Sequence, residues 1–316
     1  MYFPIKRGFV QSPLLLTKGE IQMRWLSKTS NKIIMLLPTL AVYLIFIIMP
    51  VFVTIYYSFT KFTGIGETVF IGLKNYRNLF RDPVFFMALK NTCIVLSMTL
   101  LILLPLSFTI AIFLEHVFKG SEVMKGMIFA PYVITPVIVG VIWIFILDPH
   151  IGILNALLRA LHLDVLALEW IGGTKMTAFS ISIVYMWQVL GFYVTIFIAG
   201  LRQIPFDIHE ASQIDGASKL QNIFFVTIPM LKETITIEIV LIITGAFKIF
   251  ETVQQLTNGG PSHTSEVLVT YMYFTTFTSN RYGYGMAVAT ISFLFSALCS
   301  VLYLKNASSQ MDKGGN

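Results

Sequence analysis

The residues best suited to chemistry lie in one polar loop between two apolar stretches. The loop runs from Arg202 to Glu233 and reads RQIPFDIHEASQIDGASKLQNIFFVTIPMLKE. A carboxylate such as Glu210 can pair with an Arg of a partner protein, and Gly216 permits a tight turn or a close approach of another backbone. Asp215 suits a partner contact or a local helix cap equally well. The residues of this loop are therefore suited to binding a partner.

Helical periodicity predicts two short helices within this loop. It places Glu210, Ile214 and Ala217 near one face of the first helix. Gly216 falls where a tight turn would join the two helices, and Ser218 suits the N-cap of the second. From physics alone, an ordinary interfacial loop fits the same pattern equally well.

The sequence does not show the residue patterns that disulfide, Cys-based metal or nucleotide sites require. Cys93 and Cys299 each lie inside an apolar run, so neither a disulfide nor a Cys-based metal site is indicated. The Gly172–Lys175 stretch, GGTK, is too short for a phosphate-binding G-x-x-x-x-G-K-[ST] loop. We therefore expect no metal and no nucleotide site on this chain.

The composition indicates a polytopic membrane protein. Of 316 residues, 56% are hydrophobic and 12% are charged, and the mean hydropathy is +0.77. Soluble domains carry roughly twice that share of charge. The formal net charge of +6 fits membrane orientation better than nucleic-acid binding, because no basic patch is interleaved with aromatic residues.

Apolar stretches predict six transmembrane helices, since a membrane core of about 30 Å needs roughly 20 apolar residues. Five stretches lack charges, and the sixth contains Glu238 and Lys248. The six predicted spans are Ile33–Thr60, Asn91–Leu114, Gly126–Leu147, Met176–Leu201, Thr234–Phe250 and Tyr282–Leu304. The predicted fold class is therefore all-α.

The distribution of Lys and Arg predicts that both termini are cytoplasmic. This orientation places thirteen of these residues inside and eight outside. We expect a basic cytoplasmic tail over 1–32, a membrane domain over 33–305 with its main cytoplasmic loop at 202–233, and a cytoplasmic tail over 306–316. The outer loop after Asp148 contains apolar residues at helical spacing, which predicts a short interfacial helix.

The loop resembles the EAA loop of binding-protein-dependent ABC importer permeases. The matching residues are Glu210-Ala211-Ser212-x-x-Asp215-Gly216-Ala217, followed by Ser218, Gln221, Phe224, Thr227 and Pro229. Ser212 departs from the motif, where a second Ala is usual. Residues 70–92, 248–273 and 282–295 resemble the carbohydrate branch, which includes maltose, glycerol-phosphate and multiple-sugar permeases. The resemblance covers about residues 33–305.

This resemblance implies the core fold of a type I ABC importer permease and a mechanism of alternating access. The coupling residues would be Glu210, Ala211, Asp215, Gly216 and Ala217, fitting a cleft on a separate ATPase. The implied partners are a second homologous permease, two ATPases carrying ATP and Mg, an extracellular or periplasmic solute-binding protein and a sugar. The chain itself would be no enzyme, would hold no cofactor, and would lie in the bacterial inner membrane.

A sugar path needs polar groups and aromatic faces near the middle of the bilayer. Alignment with the related maltose permeases implies contacts near Tyr185, Gln188, Phe192, Ile242, Gly245 and Ala246. Three of these are apolar or small, so the resemblance does not imply which sugar is bound. Of all these positions, Gln188 is the better candidate by physical reasoning, because a buried amide in lipid must find a partner. Single aromatic residues in a helix are more often packing residues.

Charge in the fifth span leaves two alternatives open. Lys248 and Glu251 stand three residues apart, so the spacing favours mutual neutralisation. Alternatively, Lys248 faces the path and meets an anionic group such as a uronate. Glu238 is expected near the inner interface and not in a proton relay.

Two other classes of protein compete with the importer. An ion-coupled secondary transporter typically shows inverted repeats and broken helices, and neither is visible in the sequence. This chain resembles an intramembrane phosphotransferase only in the stretch DGASK. No Asp lies between Asp215 and Asp312 to complete the metal site that such an enzyme needs. A co-purifying ATPase would separate the importer from both.

Overall fold

The computed structural model describes residues 29–115 and 119–314, which fall in two units, Met1–Val53 and Thr54–Asn316. The described part of the first unit is helical. It contains α1 (Thr29–Tyr43), a π-helical turn (Leu44–Ile48) and the start of α2 (Met49–Ser58). No side chain of α1 is buried, which suits a helix surrounded by lipid, where main-chain groups must bond within the helix.

The described part of the second unit is built from helices, apart from two strands of two residues each. β1 (Thr60–Lys61) pairs antiparallel with β2 (Val69–Phe70). The helices are α3 (Lys74–Leu79), α4 (Pro83–Met98), α5 (Leu104–Glu115), α6 (Ser121–Val133), α7 (Pro136–Leu147), α8 (Ile153–Ala160), α9 (Thr177–Leu201), α10 (Phe206–Ile214), α11 (Lys219–Asn222), α12 (Ile228–Met230), α13 (Lys232–Ala246), α14 (Glu251–Thr257), α15 (Leu268–Tyr273) and α16 (Tyr282–Gly314). A 3₁₀ turn covers Asp164–Leu166, and π-helical turns cover Thr99–Leu103, Ile223–Thr227 and Phe274–Thr278. The all-α prediction is confirmed, and α8 is the short helix expected after Asp148.

The predicted count of six membrane spans is not confirmed exactly in the described residues. In the described residues, four helical runs are long and apolar enough to cross a membrane: 29–58, 83–115, 177–201 and 282–308. The predicted span Gly126–Leu147 is covered by two helices, α6 and α7, that meet at 96° and count as a fifth, bent span if the pair crosses as one. The break precedes Pro136, because the residue before a proline avoids the helical region and Thr135 is extended.

The predicted span Thr234–Phe250 is shorter than expected. Helix α13 has 15 residues and ends at Ala246, so Lys248 lies outside it. Gly245 weakens the last turn of this helix, since glycine is a poor helix former. A count of six full spans is therefore not confirmed.

Helix α9 lies between α6 and α13 and brings them into one core. A Cβ at Gly191 would overlap the backbone of Ile128 and Phe129 on α6, and one at Gly200 would overlap Thr234 on α13. Both glycines thus permit a close approach of helices, which strengthens packing where lipid offers no hydrophobic driving force.

Hydrogen bonds connect the predicted outer loops to α4. Asp82, the N-cap of α4, accepts from the main-chain N–H of Val84 at 2.9 Å and from the hydroxyls of Tyr271 and Tyr284. Burial by itself raises the pKa of the Asp82 carboxyl. The hydrogen bonds together lower this pKa by more than burial raises it, so the net pKa is below the ordinary value. Asp82 is therefore an ionised anchor for the α15 and α16 ends.

Candidate functional site

The predicted turn in the polar loop is present at Gly216. Helix α10 ends with the amide of Asp215 donating to the Ala211 carbonyl at 3.0 Å, and Ala217 donates to Ser212 at 3.0 Å. Gly216 has φ +82°, a left-handed conformation that L side chains rarely adopt. A glycine after the last helical turn is a common way to end a helix.

The second helix starts with the predicted cap. The Ser218 Oγ accepts from the Gln221 amide at 3.3 Å, and the Gln221 Oε1 accepts from the Ser218 amide at 2.8 Å. This reciprocal capping box satisfies two main-chain donors at the start of α11. The sequence signal was local, which is why it could be recognised.

A hydrogen-bonded group that sequence reasoning missed joins the two helices. The Asn222 Oδ1 lies 3.0 Å from His209 Nδ1, and the Asn222 amide donates to Ser212 Oγ. Thr227 donates its hydroxyl to the Asn222 carbonyl and side chain at 3.3 Å. We call these four residues the Asn222 clasp. Ser212 takes part through its hydroxyl, which the usual Ala of the motif would not supply.

The predicted coupling residues remain accessible at the turn. Glu210, Ala211, Asp215 and Gly216 are exposed, and Ala217 is half-buried. Within the described residues, the side chains of Glu210 and Asp215 make no hydrogen bond or ion pair, and Ser218, not Asp215, caps α11. Asp215 is the C-cap residue of α10 through its main-chain N–H, which donates to the Ala211 carbonyl, so the local-cap alternative holds for its backbone and leaves its carboxylate unused. Both carboxylates are available to an external partner.

Large apolar side chains of the same loop are exposed as well. Ile214 is 85% exposed, and the other members of this group are Phe206, Leu220, Phe224 and Phe225. Such a concentration of exposed apolar residues beside polar ones marks an interaction surface. A cleft of about 830 Å³ is lined by loop residues such as Phe206 and His209 and by Glu115 and Arg202.

Two of the predicted path residues, Tyr185 and Gly245, meet between α9 and α13. A Cβ at Gly245 would lie 2.5 Å from the Tyr185 hydroxyl and 3.9 Å from the Tyr193 hydroxyl. Both phenol groups therefore converge on the surface that this glycine leaves open. Phe192 stacks on Tyr132 with ring centroids 4.9 Å apart, and its ring centroid lies 5.4 Å from that of Tyr193.

The partner of Gln188 is main chain. Its amide donates to the Ile134 carbonyl at 3.1 Å, at the break between α6 and α7. This carbonyl has no helical donor because Ile134 and Thr135 are extended, so the chain leaves the helix there. Gln188 thus stabilises the bend, and the expectation that a buried amide finds a partner is confirmed.

Lys248 and Glu251 do not neutralise each other. Both side chains are exposed, and no ion pair joins them within the described residues. The expectation of an i, i+3 pair is wrong because it assumed a continuous helix, whereas Phe247–Phe250 is not helical. Both residues follow the C-terminal end of α13 in the chain.

A buried carboxyl, Glu238, was underrated by the sequence reasoning. It is 0% exposed, and neither carboxylate oxygen has a hydrogen-bond partner within the described residues. The only sequence signal was an acid inside an apolar run. Such an acid is costly to bury and usually marks function.

Comparisons with known proteins agree with the resemblance. The family described as "Binding-protein-dependent transport system inner membrane component" matches residues 103–310. A probable ABC transporter permease, YurN of Bacillus subtilis, is 36% identical over 281 residues, covering 87% of this chain and 96% of YurN. The arabinooligosaccharides permease AraP of the same organism is 28% identical and covers 98% and 99% of the two chains. A chain of the bacterial alginate ABC transporter, solved with a periplasmic protein that carries an alginate pentasaccharide, has a TM-score of 0.72 and 25% identity, covering 92% of this chain and 94% of that chain.

Proposed function

This chain belongs to the family of binding-protein-dependent transport system inner membrane components, and we propose that its exposed loop couples a sugar path to a separate ATPase. The protein is the membrane-spanning permease subunit of an ATP-driven sugar importer that depends on a solute-binding protein. The loop geometry carries the mechanistic part of this proposal. A left-handed turn at Gly216 presents unpaired carboxylates and exposed apolar side chains together.

The position of the loop in the chain explains how movement would reach the path. The loop begins where α9 ends, at Leu201, and finishes where α13 begins, at Lys232. These are the two helices on which Tyr185, Tyr193 and Gly245 lie. Because Gly200 packs closely against Thr234, the inner ends of both helices would move together when an ATPase displaces the loop. Coupling thus requires only rigid-body movement.

The substrate class follows from the named relatives and from the path residues. Sugars present hydroxyls for hydrogen bonding and apolar ring faces for stacking. The Tyr185 and Tyr193 hydroxyls and the Phe192 ring offer both kinds of contact. AraP transports arabinooligosaccharides, which supports an oligosaccharide as the substrate here.

The remaining partners follow from stoichiometry. One loop provides one ATPase contact, whereas ATP hydrolysis at a dimer interface requires two. We infer a complex of this chain, a homologous permease, two ATPases that hold ATP and Mg, and a binding protein outside. The setting is a bacterial inner membrane, and the chain itself carries out no catalysis.

Affinity purification of the tagged chain from its native host tests this function. The expected complex contains two ATPase copies and a second permease, and its ATP hydrolysis rises when ligand-loaded binding protein is added. Purification as a homodimer that transports sugar without any other permease would contradict the stoichiometry. Absence of an ATPase from an active preparation would overturn the function.

A further inference from the structure

We propose that the cleft beside the polar loop binds the headgroup of an anionic phospholipid from the inner leaflet of the membrane. The cleft has a volume of about 830 Å³, which is within the range of roughly 300–1,000 Å³ that is typical of small-molecule sites. The proposal goes beyond the importer function, because it requires neither an ATPase nor a sugar.

The cleft lies where two membrane-spanning runs end. The run 83–115 ends at Glu115, the run 177–201 ends at Leu201, and both residues line the cleft. A helix that leaves the hydrocarbon core next passes through the layer of lipid headgroups. The cleft is therefore within reach of a phospholipid that stays in its leaflet.

One face of α10 forms a wall of the cleft. Phe206, His209 and Gln213 line it and stand three and four residues apart, so they share one face of this helix. Among the described residues, Ala217 is the one predicted coupling residue that lines the cleft, and Glu210 does not. A ligand in the cleft would thus leave most of the surface proposed to meet the ATPase uncovered.

The lining of the cleft combines cations with apolar side chains, as a phospholipid site requires. Arg202 and Lys219 carry positive charge, and both are exposed. The apolar lining residues are Ile112, Leu201, Ile204, Phe206 and Ile223. Basic pockets beside membrane helices on the cytoplasmic side recognise anionic headgroups. The apolar residues suit the upper part of the acyl chains, for which a soluble anion has no equivalent.

The charges at the cleft favour an anionic lipid over a zwitterionic one. Two cations, Arg202 and Lys219, stand against one carboxylate in the lining, Glu115. Neither cation forms an ion pair within the described part of the chain. Arg202 is within electrostatic reach of Glu122, but Glu122 is paired with Lys125 at 2.6 Å. The phosphate of phosphatidylglycerol would bring a negative charge to this excess of positive charge.

Native mass spectrometry of the purified full chain, with the subunits that co-purify, tests this site. The protein is delipidated and titrated with phosphatidylglycerol, phosphatidylethanolamine and phosphatidylcholine that carry the same acyl chains. Phosphatidylglycerol is expected to bind about thirtyfold more tightly than phosphatidylcholine, because each cation strengthens binding of an anionic lipid roughly fivefold. Arg202→Gln combined with Lys219→Gln should remove this preference and leave phosphatidylcholine binding unchanged.

Three further variants separate charge at the cleft from other effects. Arg202→Lys combined with Lys219→Arg keeps both charges and should keep the preference. Lys232→Gln removes an exposed cation of the same loop that is not among the described lining residues, and it should also keep the preference. Glu115→Gln removes the opposing carboxylate and should tighten phosphatidylglycerol binding roughly fivefold.

Four outcomes would overturn the proposal. They are equal binding of the three lipids by the wild type, an equal loss of preference in Lys232→Gln, a preference for phosphatidylethanolamine that is lost in Glu115→Gln, and competition by glycerol 1-phosphate. The last result would make the cleft a site for a soluble anion. These titrations contain no ATP and no sugar, so failure of the importer function would be visible separately, as the absence of an ATPase from an active preparation.

Discussion

Substituting Gly216 should weaken the attachment of the ATPase by a predictable amount. The residue has φ +82°, and no heavy atom lies within 4 Å of the position that a Cβ would take. Gly216→Ala therefore causes no clash within this chain, and its cost is left-handed backbone strain of roughly 1–2 kcal/mol. The mutant turn relaxes when free, so docking must restore the strained geometry, and affinity falls about tenfold.

Two comparisons isolate the cause of this loss. Gly172 also has φ +82° and open space around it, but it lies in the predicted outer loop, so Gly172→Ala carries the same strain without touching the ATPase surface. Gly216→Asn tolerates the left-handed region better than Ala and should lose less affinity. Gly216→Val should lose more than Ala wherever the partner backbone approaches closely.

The assay is a titration of purified ATPase onto the permease pair in nanodiscs, followed by ATP hydrolysis with loaded binding protein. Gly216→Ala should shift the titration and lower stimulated hydrolysis, while Gly172→Ala does neither. Equal effects of the two substitutions, or normal affinity in Gly216→Ala, would refute the argument that this turn is the docking element.

Four further predictions concern single side chains. Glu210→Lys should abolish stimulated ATP hydrolysis at unchanged membrane abundance, because it replaces the proposed partner of an Arg with a like charge; normal stimulation would contradict this. Asn222→Leu removes the Asn222 clasp and should speed hydrogen exchange of the α10 amides about tenfold, whereas unchanged protection would show that the clasp contributes little. Asp82 has a lowered pKa, so the stability that its carboxylate contributes is present above the ordinary aspartate pKa of about 3.9 and is lost as the pH falls through the folded-state pKa. Asp82→Asn should therefore remove this acid dependence of the melting temperature. An unaltered pH profile of the melting temperature would exclude Asp82 as its cause. Lys248→Met should leave folding yield unchanged, since Lys248 has no ion-pair partner among the described residues, and a yield that is restored only by neutralising Glu251 as well would reinstate their pairing.

Local features of the polar loop were predictable from the sequence. Gly216 and Ser218 act on their immediate neighbours, one through its own backbone and the other through a residue three positions on. The Asn222 clasp was not predictable, because His209 and Asn222 are 13 residues apart and meet only after the turn has formed. The departure from the motif at Ser212 was visible in the sequence, but its meaning depended on the contact between Ser212 and Asn222.

Membrane spans were predictable as apolar stretches but not as helix geometry. Hydropathy cannot distinguish one span from two helices at an angle, although Pro136 gave a local signal for the break. The partner of Gln188 lies 54 residues away at this break. The Lys248–Glu251 pairing failed for the same reason, because charge spacing was interpreted on a helix that had already ended.

Uptake into proteoliposomes tests the central claim most directly. The chain, its second permease and the ATPases are reconstituted with ATP inside and loaded binding protein outside, and labelled sugar is measured with and without proton and sodium gradients. The account predicts accumulation that requires ATP and the binding protein, persists without ion gradients and is lost in Glu210→Lys. Accumulation driven by an ion gradient in the absence of ATP would contradict it.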